Sequence, residues 1–233
     1  MRFHYGETTA GATFKPEAGW TLLRKSGSMW RTQLAALPVG AAAAWATLAA
    51  WLEFAPPEIS GPRLWLAGTL AAGVDILFHA APWAANGVLA VAAGSALALL
   101  LFASLLLALA LPLAVYFLAH ELVHVLAAPS FGLTDRSVIG LWPAGGVAYS
   151  HYDGEMSRGR WLAVLLMPFL ALSVLPLGVA AVSGWNSPYL AALSLVNAVG
   201  SYVDLYNAGY ILFKVPAGAC VRLADDGLFF RRG

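Results

Sequence analysis

Long apolar runs separated by short polar segments dominate the pattern of this chain. The apolar runs are residues 33–51, 88–128, 161–182 and 189–213, and alanine and leucine are frequent in them. At about 1.5 Å per helical residue, roughly 20 such residues cross the hydrocarbon core of a bilayer. The pattern therefore predicts transmembrane helices at these positions.

The longest apolar run, residues 88–128, exceeds the length of one ordinary span. As a single helix it would extend roughly 60 Å, about twice the thickness of the hydrocarbon core. Gly94-Ser95 and Pro112 are the candidates for an interruption, because proline removes a hydrogen-bond donor and clashes with the preceding turn. The run is therefore either two spans that meet near Pro112 or one long tilted helix that emerges on the far side, and the sequence leaves both open.

A weaker apolar stretch, residues 64–82, leaves the number of spans open. It carries Asp75 and His79 one turn apart, and it predicts either a weak span or a helix in the membrane interface. Such an Asp/His pair more often makes a polar contact than a metal site. The number of spans is about four if this stretch is interfacial, and about six if it crosses and 88–128 is split.

The polar segment 129–160 has a different pattern. The runs Ser137–Trp142 and Val147–Ser150 flank the sequence Pro-Ala-Gly-Gly, which is typical of a tight turn between two strands. The whole pattern therefore predicts an all-α polytopic membrane protein with about four to six transmembrane helices and a short β-hairpin-like loop.

Composition strengthens the membrane interpretation. The chain is 60% hydrophobic and only 11% charged, whereas soluble domains carry about 25% charged residues. The formal net charge is +1 and no basic aromatic patch is present, so we expect no nucleic-acid partner. Cys220 is the single cysteine, which excludes a disulfide framework and a thiolate metal site.

The HExxH sequence at His120-Glu121-Leu-Val-His124 is the strongest chemical signal. On a helix, residues four apart lie on one face, so both imidazoles can bind one metal ion. Glu121 then lies beside the metal, where it can accept a proton from water. Charged groups inside an apolar span are usually functional. The motif therefore predicts a zinc site; the alternative is that these residues only pair with one another in a polar bundle interior.

Catalytic zinc usually has three protein ligands and one open position. The candidates for the third ligand are Asp135, His151, Asp153, Glu155 and Asp204. His120 and His124 lie roughly 7–14 Å from the end of their predicted helix, and Asp204 lies roughly 15 Å from the same membrane face. This match in depth favours Asp204 as the ligand, with Glu155 as the second choice.

Asp204 also belongs to a polar stripe on an apolar span. Asn197, Ser201 and Asn207 recur at helical spacing with it. Short polar residues in such a stripe often only hydrogen-bond between helices, so we expect a packing role for at least one asparagine. Either asparagine is also a candidate for a hydrogen bond to substrate.

Lysine and arginine placement predicts the orientation. All but one of the 13 lie in the N-terminal arm, the 129–160 loop or the C-terminal tail, and the positive-inside rule makes these segments cytoplasmic. We therefore expect a multi-pass protein of the inner membrane with both termini cytoplasmic and an uncleaved first span. Its parts are a polar arm (1–32), N-terminal membrane helices (33–110), the core with the HExxH helix (111–213) and a tail (214–233).

These motifs together resemble the site-2 protease class of intramembrane zinc metalloproteases. They are more closely similar to the zincin peptidase family of small bacterial membrane proteins, a domain of unknown function. The matching sequences are HELVH at 120–124, GGVAYSHY at 145–152, Met167-Pro168-Phe169, VDLYN at 203–207 and VPAGA at 215–219. The resemblance covers roughly residues 110–220 and implies a zinc-dependent peptidase. The Asn-Pro-Asp-Gly-like context that the site-2 class has around its aspartate is absent around Asp204.

The resulting hypothesis is a membrane-embedded zinc endopeptidase. His120, His124 and Asp204 would bind one Zn²⁺, and Glu121 would act as the general base. The substrate would be a membrane protein or peptide in the lipid bilayer. The hairpin at Gly145-Gly146 would either offer an edge strand to the substrate backbone or serve only as a turn, and the sequence leaves both open.

Two alternatives from other classes remain open. One is a transporter or permease-like subunit that uses the same residues as a metal or proton relay. The other is a scaffold that keeps a structural zinc, for which a fourth ligand such as His151 would have to close the site.

Overall fold

The computed structural model describes residues 1–6, 14–25, 29–56, 87–145, 147–224 and 227–232. The chain divides into two compact units. The first comprises Met1–Pro57 together with Phe117–Gly233, and the second is Glu58–Tyr116. The second unit is described from Gly87 onward, and it is helical there.

Six α-helices lie in the described residues. They are α1 (Met29–Phe54), α2 (Gly87–Ala127), α3 (Arg158–Phe169), α4 (Leu175–Ser183), α5 (Pro188–Gly200) and α6 (Tyr202–Lys214). A π-helical turn, Leu170–Val174, joins α3 to α4. Short 3-10 turns occur at Pro129–Gly132 and Pro143–Gly145. Within this part of the chain, Arg31–Phe54 and Arg158–Ser183 are helical segments long and apolar enough to cross a membrane.

Seven strands lie in the described part of the chain, and they form two sheets. The strands are β1 (Arg2–Tyr5), β2 (Thr21–Lys25), β3 (Ser137–Trp142), β4 (Val147–Tyr152), β5 (Met156–Ser157), β6 (Cys220–Ala224) and β7 (Gly227–Arg231). The first sheet has the order β1-β3-β4, with β1 parallel and β4 antiparallel to β3. The second sheet has the order β2-β7-β6-β5 and is antiparallel throughout.

The two sheets overturn the prediction of an all-α protein with about four to six transmembrane helices. The predicted hairpin is present as β3 and β4, but it is one part of a larger β structure. Two helical segments of the described residues, not four to six, pass the length and hydropathy test for a span. The N-terminal arm and the C-terminal tail are not simple polar extensions, because β1 pairs with β3 and β2 pairs with β7.

The predicted helix boundaries also need correction. α2 continues through Pro112 from Gly87 to Ala127, so of the two alternatives for this run the structure has the single long helix and not an interruption at Pro112. The predicted span 189–213 is two helices, because Ser201 has φ −77° and ψ 6° and ends α5 before α6 begins. Asp75 and His79 lie outside the described residues.

The helices around α6 pack closely within the first unit. α1 packs against α5 and α6, and a Cβ atom at Gly40 of α1 would lie only 2.6 Å from the Cβ of Tyr202. On its other side, α6 contributes Ile211 to a core with Leu165 of α3 and Val221 of β6. α6 is thus fixed between helix α1 and the second sheet, and this contact determines where its first turn lies.

Candidate metal centre

Three donor atoms meet where α2 and α6 approach each other. His120 and His124 lie one turn apart near the end of α2, and both are buried. Their Nε2 atoms are 3.2 Å apart. Oδ2 of Asp204, in the first turn of α6, lies 3.2 Å from Nε2 of His120 and 3.3 Å from Nε2 of His124. We call this set of three atoms the donor triangle.

The other ring nitrogen of each histidine faces an oxygen acceptor. Nδ1 of His120 lies 2.8 Å from Oδ1 of Asn197, and Nδ1 of His124 lies 2.8 Å from the carbonyl oxygen of Val164. A carbonyl oxygen only accepts, so each Nδ1 carries the proton and donates it. The Nε2 atom of each neutral ring is then left as a free acceptor that points into the donor triangle.

The amide of Asn197 has a defined orientation. Its Nδ2 group donates to the carbonyl oxygen of Pro168 at 3.0 Å and to Oγ of Ser173 at 2.9 Å. Ser173 donates in turn to the carbonyl oxygen of Ser194 at 2.8 Å. Because Pro168 offers only an acceptor, the amide nitrogen must face it and Oδ1 must face His120.

The donor triangle fits a zinc ion. Two free Nε2 lone pairs and a carboxylate oxygen within 3.3 Å of each other repel unless a cation lies between them. Ligands of a tetrahedral zinc at bond lengths near 2.0–2.1 Å are separated by about 3.3 Å, which matches all three sides. The donor hydrogen bonds from Nδ1 to oxygen are those that zinc-binding histidines usually make. His120, His124 and Asp204 are close enough to bind a metal.

Glu121 is held by a residue that the sequence did not indicate. Oγ of Ser150 in β4 donates to Oε2 of Glu121 at 2.6 Å. Side chains alternate along a strand, so Ser150 projects from the sheet face opposite to that of Tyr149 and His151. A lone serine in a strand has no distinguishing pattern, and only the fold brings it to the HExxH helix.

A cavity of about 440 Å³ adjoins the donor triangle. Its wall combines the metal-binding helix, β4, α3 and α6. The lining includes His120, Glu121, His124, Val125, Ala148, Tyr149, Ser150, His151, Tyr152, Trp161, Leu165, Tyr202 and Asp204. The consecutive residues 148–152 show that strand β4 runs along one side of the cavity.

His151 is outside the donor triangle. Its ring stacks on that of Tyr149 with centroids 6.1 Å apart, and the Tyr149 hydroxyl hydrogen-bonds to Nδ1 of His4. Gly140 makes room for this group, since a Cβ there would lie 2.3 Å from the Tyr149 ring. Burial lowers the pKa of His151; the negative charge of Asp153 opposes this effect and the positive charge of Arg2 adds to it.

The other candidate ligands have partners elsewhere or lie apart from the site. Asp153 pairs with Arg2 at 3.1 Å and Glu155 pairs with Arg231 at 3.0 Å. Asp135 is exposed.

The sequence predicted four substrate-binding residues, namely Gly145, Gly146, Asn197 and Asn207, and none of the described ones is among the residues that line the cavity. Asn197 contacts His120 instead of lining the cavity, and Asn207 is not among the described lining residues. Gly145 ends the 3-10 turn before β4, and Gly146 is outside the described residues. Substrate contacts at these positions stay predictions.

The HExxH helix brings two histidines and a carboxylate close enough to bind a metal, which is the arrangement expected of a zincin-type site. Residues 113–220 match the model of a family described as "Putative zincin peptidase". This match confirms the resemblance to the zincin peptidase family, and it supports a metallopeptidase-like function for this part of the chain. Comparison with curated proteins gave no match, and neither did comparison with solved structures.

Proposed function

We propose that the protein is a membrane-embedded, zinc-dependent endopeptidase that cleaves membrane-associated or transmembrane peptides. The observation that carries the proposal is the donor triangle, with sides of 3.2, 3.2 and 3.3 Å, next to a glutamate that belongs to the same HExxH motif. A zinc ion bound here would supply two things, a lowered pKa for water and polarisation of a peptide carbonyl.

Different residues of the chain bind the metal, transfer the proton and position the carboxylate. His120, His124 and Asp204 would hold the metal, and three protein ligands are the number that catalytic zinc sites usually have. Glu121 accepts a proton from the attacking water and passes it to the leaving amine. Ser150 holds the Glu121 carboxylate at 2.6 Å. The position of His151 outside the donor triangle supports an open site rather than a structural zinc with a fourth histidine.

Strand β4 is the proposed place for the substrate backbone. It stands at the end of the order β1-β3-β4, and its residues 148–152 line the cavity. An extended peptide can add to such an edge through main-chain hydrogen bonds, which accept varied side chains. A peptide paired with β4 would place its scissile bond near Glu121, because Ser150 of this strand donates a hydrogen bond to the Glu121 carboxylate.

Exposed apolar residues support the membrane environment. On α1, Leu34, Trp45 and Leu52 are 63%, 72% and 60% exposed, which in water would be a large apolar surface. β2 pairs with β7, so the arm and the tail meet in one sheet. This pairing supports a multi-pass arrangement in which both termini lie on the same side, the cytoplasmic one by the positive-inside rule.

The test is peptide cleavage by the full chain in detergent micelles. The substrate probe is a mixture of synthetic transmembrane-segment peptides, with cut sites read by mass spectrometry. We expect cleavage by the wild type, loss on chelation and recovery with added zinc. Glu121→Gln should retain zinc but lower the rate by about 10²–10⁴-fold, the usual contribution of a general base.

The matched control is Glu155→Gln, which makes the same change at an exposed carboxylate paired with Arg231. It should cleave at the wild-type rate. Bound zinc without cleavage of any peptide by the wild type would contradict the proposal in favour of a scaffold or relay.

A further inference from the structure

The helix α3 contains a buried proline that lies behind the donor triangle. In an α-helix, the N–H of one residue bonds to the carbonyl four residues earlier, so residue 168 is the normal donor to Val164. Proline has no N–H, and its ring pushes against that same carbonyl. The Val164 oxygen thus lacks its usual helical donor, and it accepts the Nδ1 proton of His124 at 2.8 Å.

Pro168 also supports the other histidine. Its own carbonyl oxygen accepts from Nδ2 of Asn197 at 3.0 Å, which turns Oδ1 of Asn197 toward His120. The π-helical turn Leu170–Val174 follows directly, and Ser173 within it accepts from the same amide at 2.9 Å. Pro168 therefore supports both imidazoles. It leaves the Val164 carbonyl oxygen free to accept from His124, and its own carbonyl oxygen accepts from Asn197, which contacts His120.

We propose that Pro168 is a positioning residue for the metal centre. The N–H that it lacks leaves the Val164 carbonyl for His124, and its carbonyl orients Asn197 for His120. Metal affinity then depends on this proline, although Pro168 touches no metal ligand atom. The inference rests on the metal site of the proposed function, and it does not require peptidase activity.

A simple packing role for Pro168 is the competing explanation, because its side chain is fully buried. Two substitutions separate the explanations. Pro168→Ala restores the N–H and leaves a small void, whereas Pro168→Val restores the N–H and fills the space. A packing role makes the two variants differ. A hydrogen-bonding role makes them alike, since both return a donor to Val164.

The experiment measures zinc affinity of the full chain in detergent by competition with a chelator. Both variants should bind zinc about 10–100-fold more weakly than the wild type, the usual cost of losing support behind a metal ligand. Pro38→Ala is the matched control, because Pro38 lies inside α1. It should leave zinc affinity unchanged.

A spectroscopic measurement follows the histidines directly. With ¹⁵N-labelled histidine, the zinc-loaded wild type should show slowly exchanging Nδ1 protons on both ligand rings. In the two Pro168 variants, the Nδ1 proton of His124 should exchange faster.

Zinc affinity within about twofold of wild type in both variants would overturn the proposal. A loss in Pro168→Ala alone would also overturn it, in favour of packing. Where neither variant accumulates, Asn197→Ala tests the His120 branch alone, and unchanged affinity there overturns the proposal. If both Pro168 variants bind zinc more weakly as expected but the wild type cleaves no peptide, this inference stands and only the peptidase proposal is contradicted.

Discussion

The two histidines of the donor triangle are supported in different ways. His120 donates to a side chain, Oδ1 of Asn197, whereas His124 donates to the backbone carbonyl of Val164. Both contacts measure 2.8 Å and both fix the same tautomer. The two acceptors differ in whether a single substitution can remove them. A single substitution removes the side-chain support, but the backbone support changes only through the residue that competes for that carbonyl.

The largest expected loss of zinc binding comes from changing Asp204, the residue of the donor triangle that contacts both histidines. Asp204→Asn replaces a carboxylate with a neutral amide of the same shape. We expect loss of stoichiometric zinc and of cleavage, because the site loses its one anionic ligand and keeps only two neutral imidazoles for a doubly charged ion. Asp153→Asn is the control, since its partner is Arg2. Metal analysis of purified protein is the measurement, and a full zinc content in Asp204→Asn would contradict this ligand assignment.

A smaller effect separates the two supports. Asn197→Ala removes the acceptor of His120 and leaves the Val164 contact of His124 in place. We expect zinc affinity to fall by about 10–100-fold, since the buried Nδ1 proton loses its partner and the ring is free to turn.

The matched control for Asn197 is Asn207→Ala, the same change one helix later in the stripe. Chelator competition should show no change for this variant. Equal losses in both variants would mean that the side-chain support has no special role.

The smallest effect leaves both histidine supports untouched. Ser150→Ala removes the hydroxyl that bonds Glu121 at 2.6 Å. We expect kcat to fall roughly tenfold with KM and zinc content unchanged, which is less than the roughly 10²–10⁴-fold contribution of a general base because Glu121 itself is retained. Ser150→Thr should restore the rate because it keeps the hydroxyl.

The control for Ser150 is Ser183→Ala, the same change at an exposed serine at the end of α4. Its cleavage rate should remain near wild type. A Ser150→Ala enzyme with unaltered kcat would show that Glu121 needs no support from the strand.

The donor triangle was largely predictable from the sequence. HExxH places two imidazoles on one helical face. The predicted depth of Asp204 in the membrane matches that of the two histidines, and this match favoured it over the other candidate carboxylates. Asn197 was visible as part of a polar stripe, although its contact with His120 was not. The Val164 support also had a signal: a proline inside an apolar helix leaves the carbonyl four residues earlier without its donor.

Most of the β structure was not predictable in the same way. β1 and β2 are only four and five residues long, too short for a clear alternating pattern. Their partners, β3 and β7, lie more than a hundred residues away along the chain. Only the β3–β4 hairpin has both strands and its turn in one stretch of sequence, and this hairpin was expected. Ser150 was missed because its role comes entirely from that tertiary arrangement.

The pairing of β2 with β7 has a consequence for biosynthesis. Thr21 of β2 is paired with Phe230 of β7, so an early segment leaves the ribosome long before its neighbour exists. At about 5–20 residues per second, this wait lasts roughly ten seconds or more. Asp204 and the strands that follow α6 are also translated late. A nascent chain halted before them would carry the HExxH helix with neither its third ligand nor a completed second sheet.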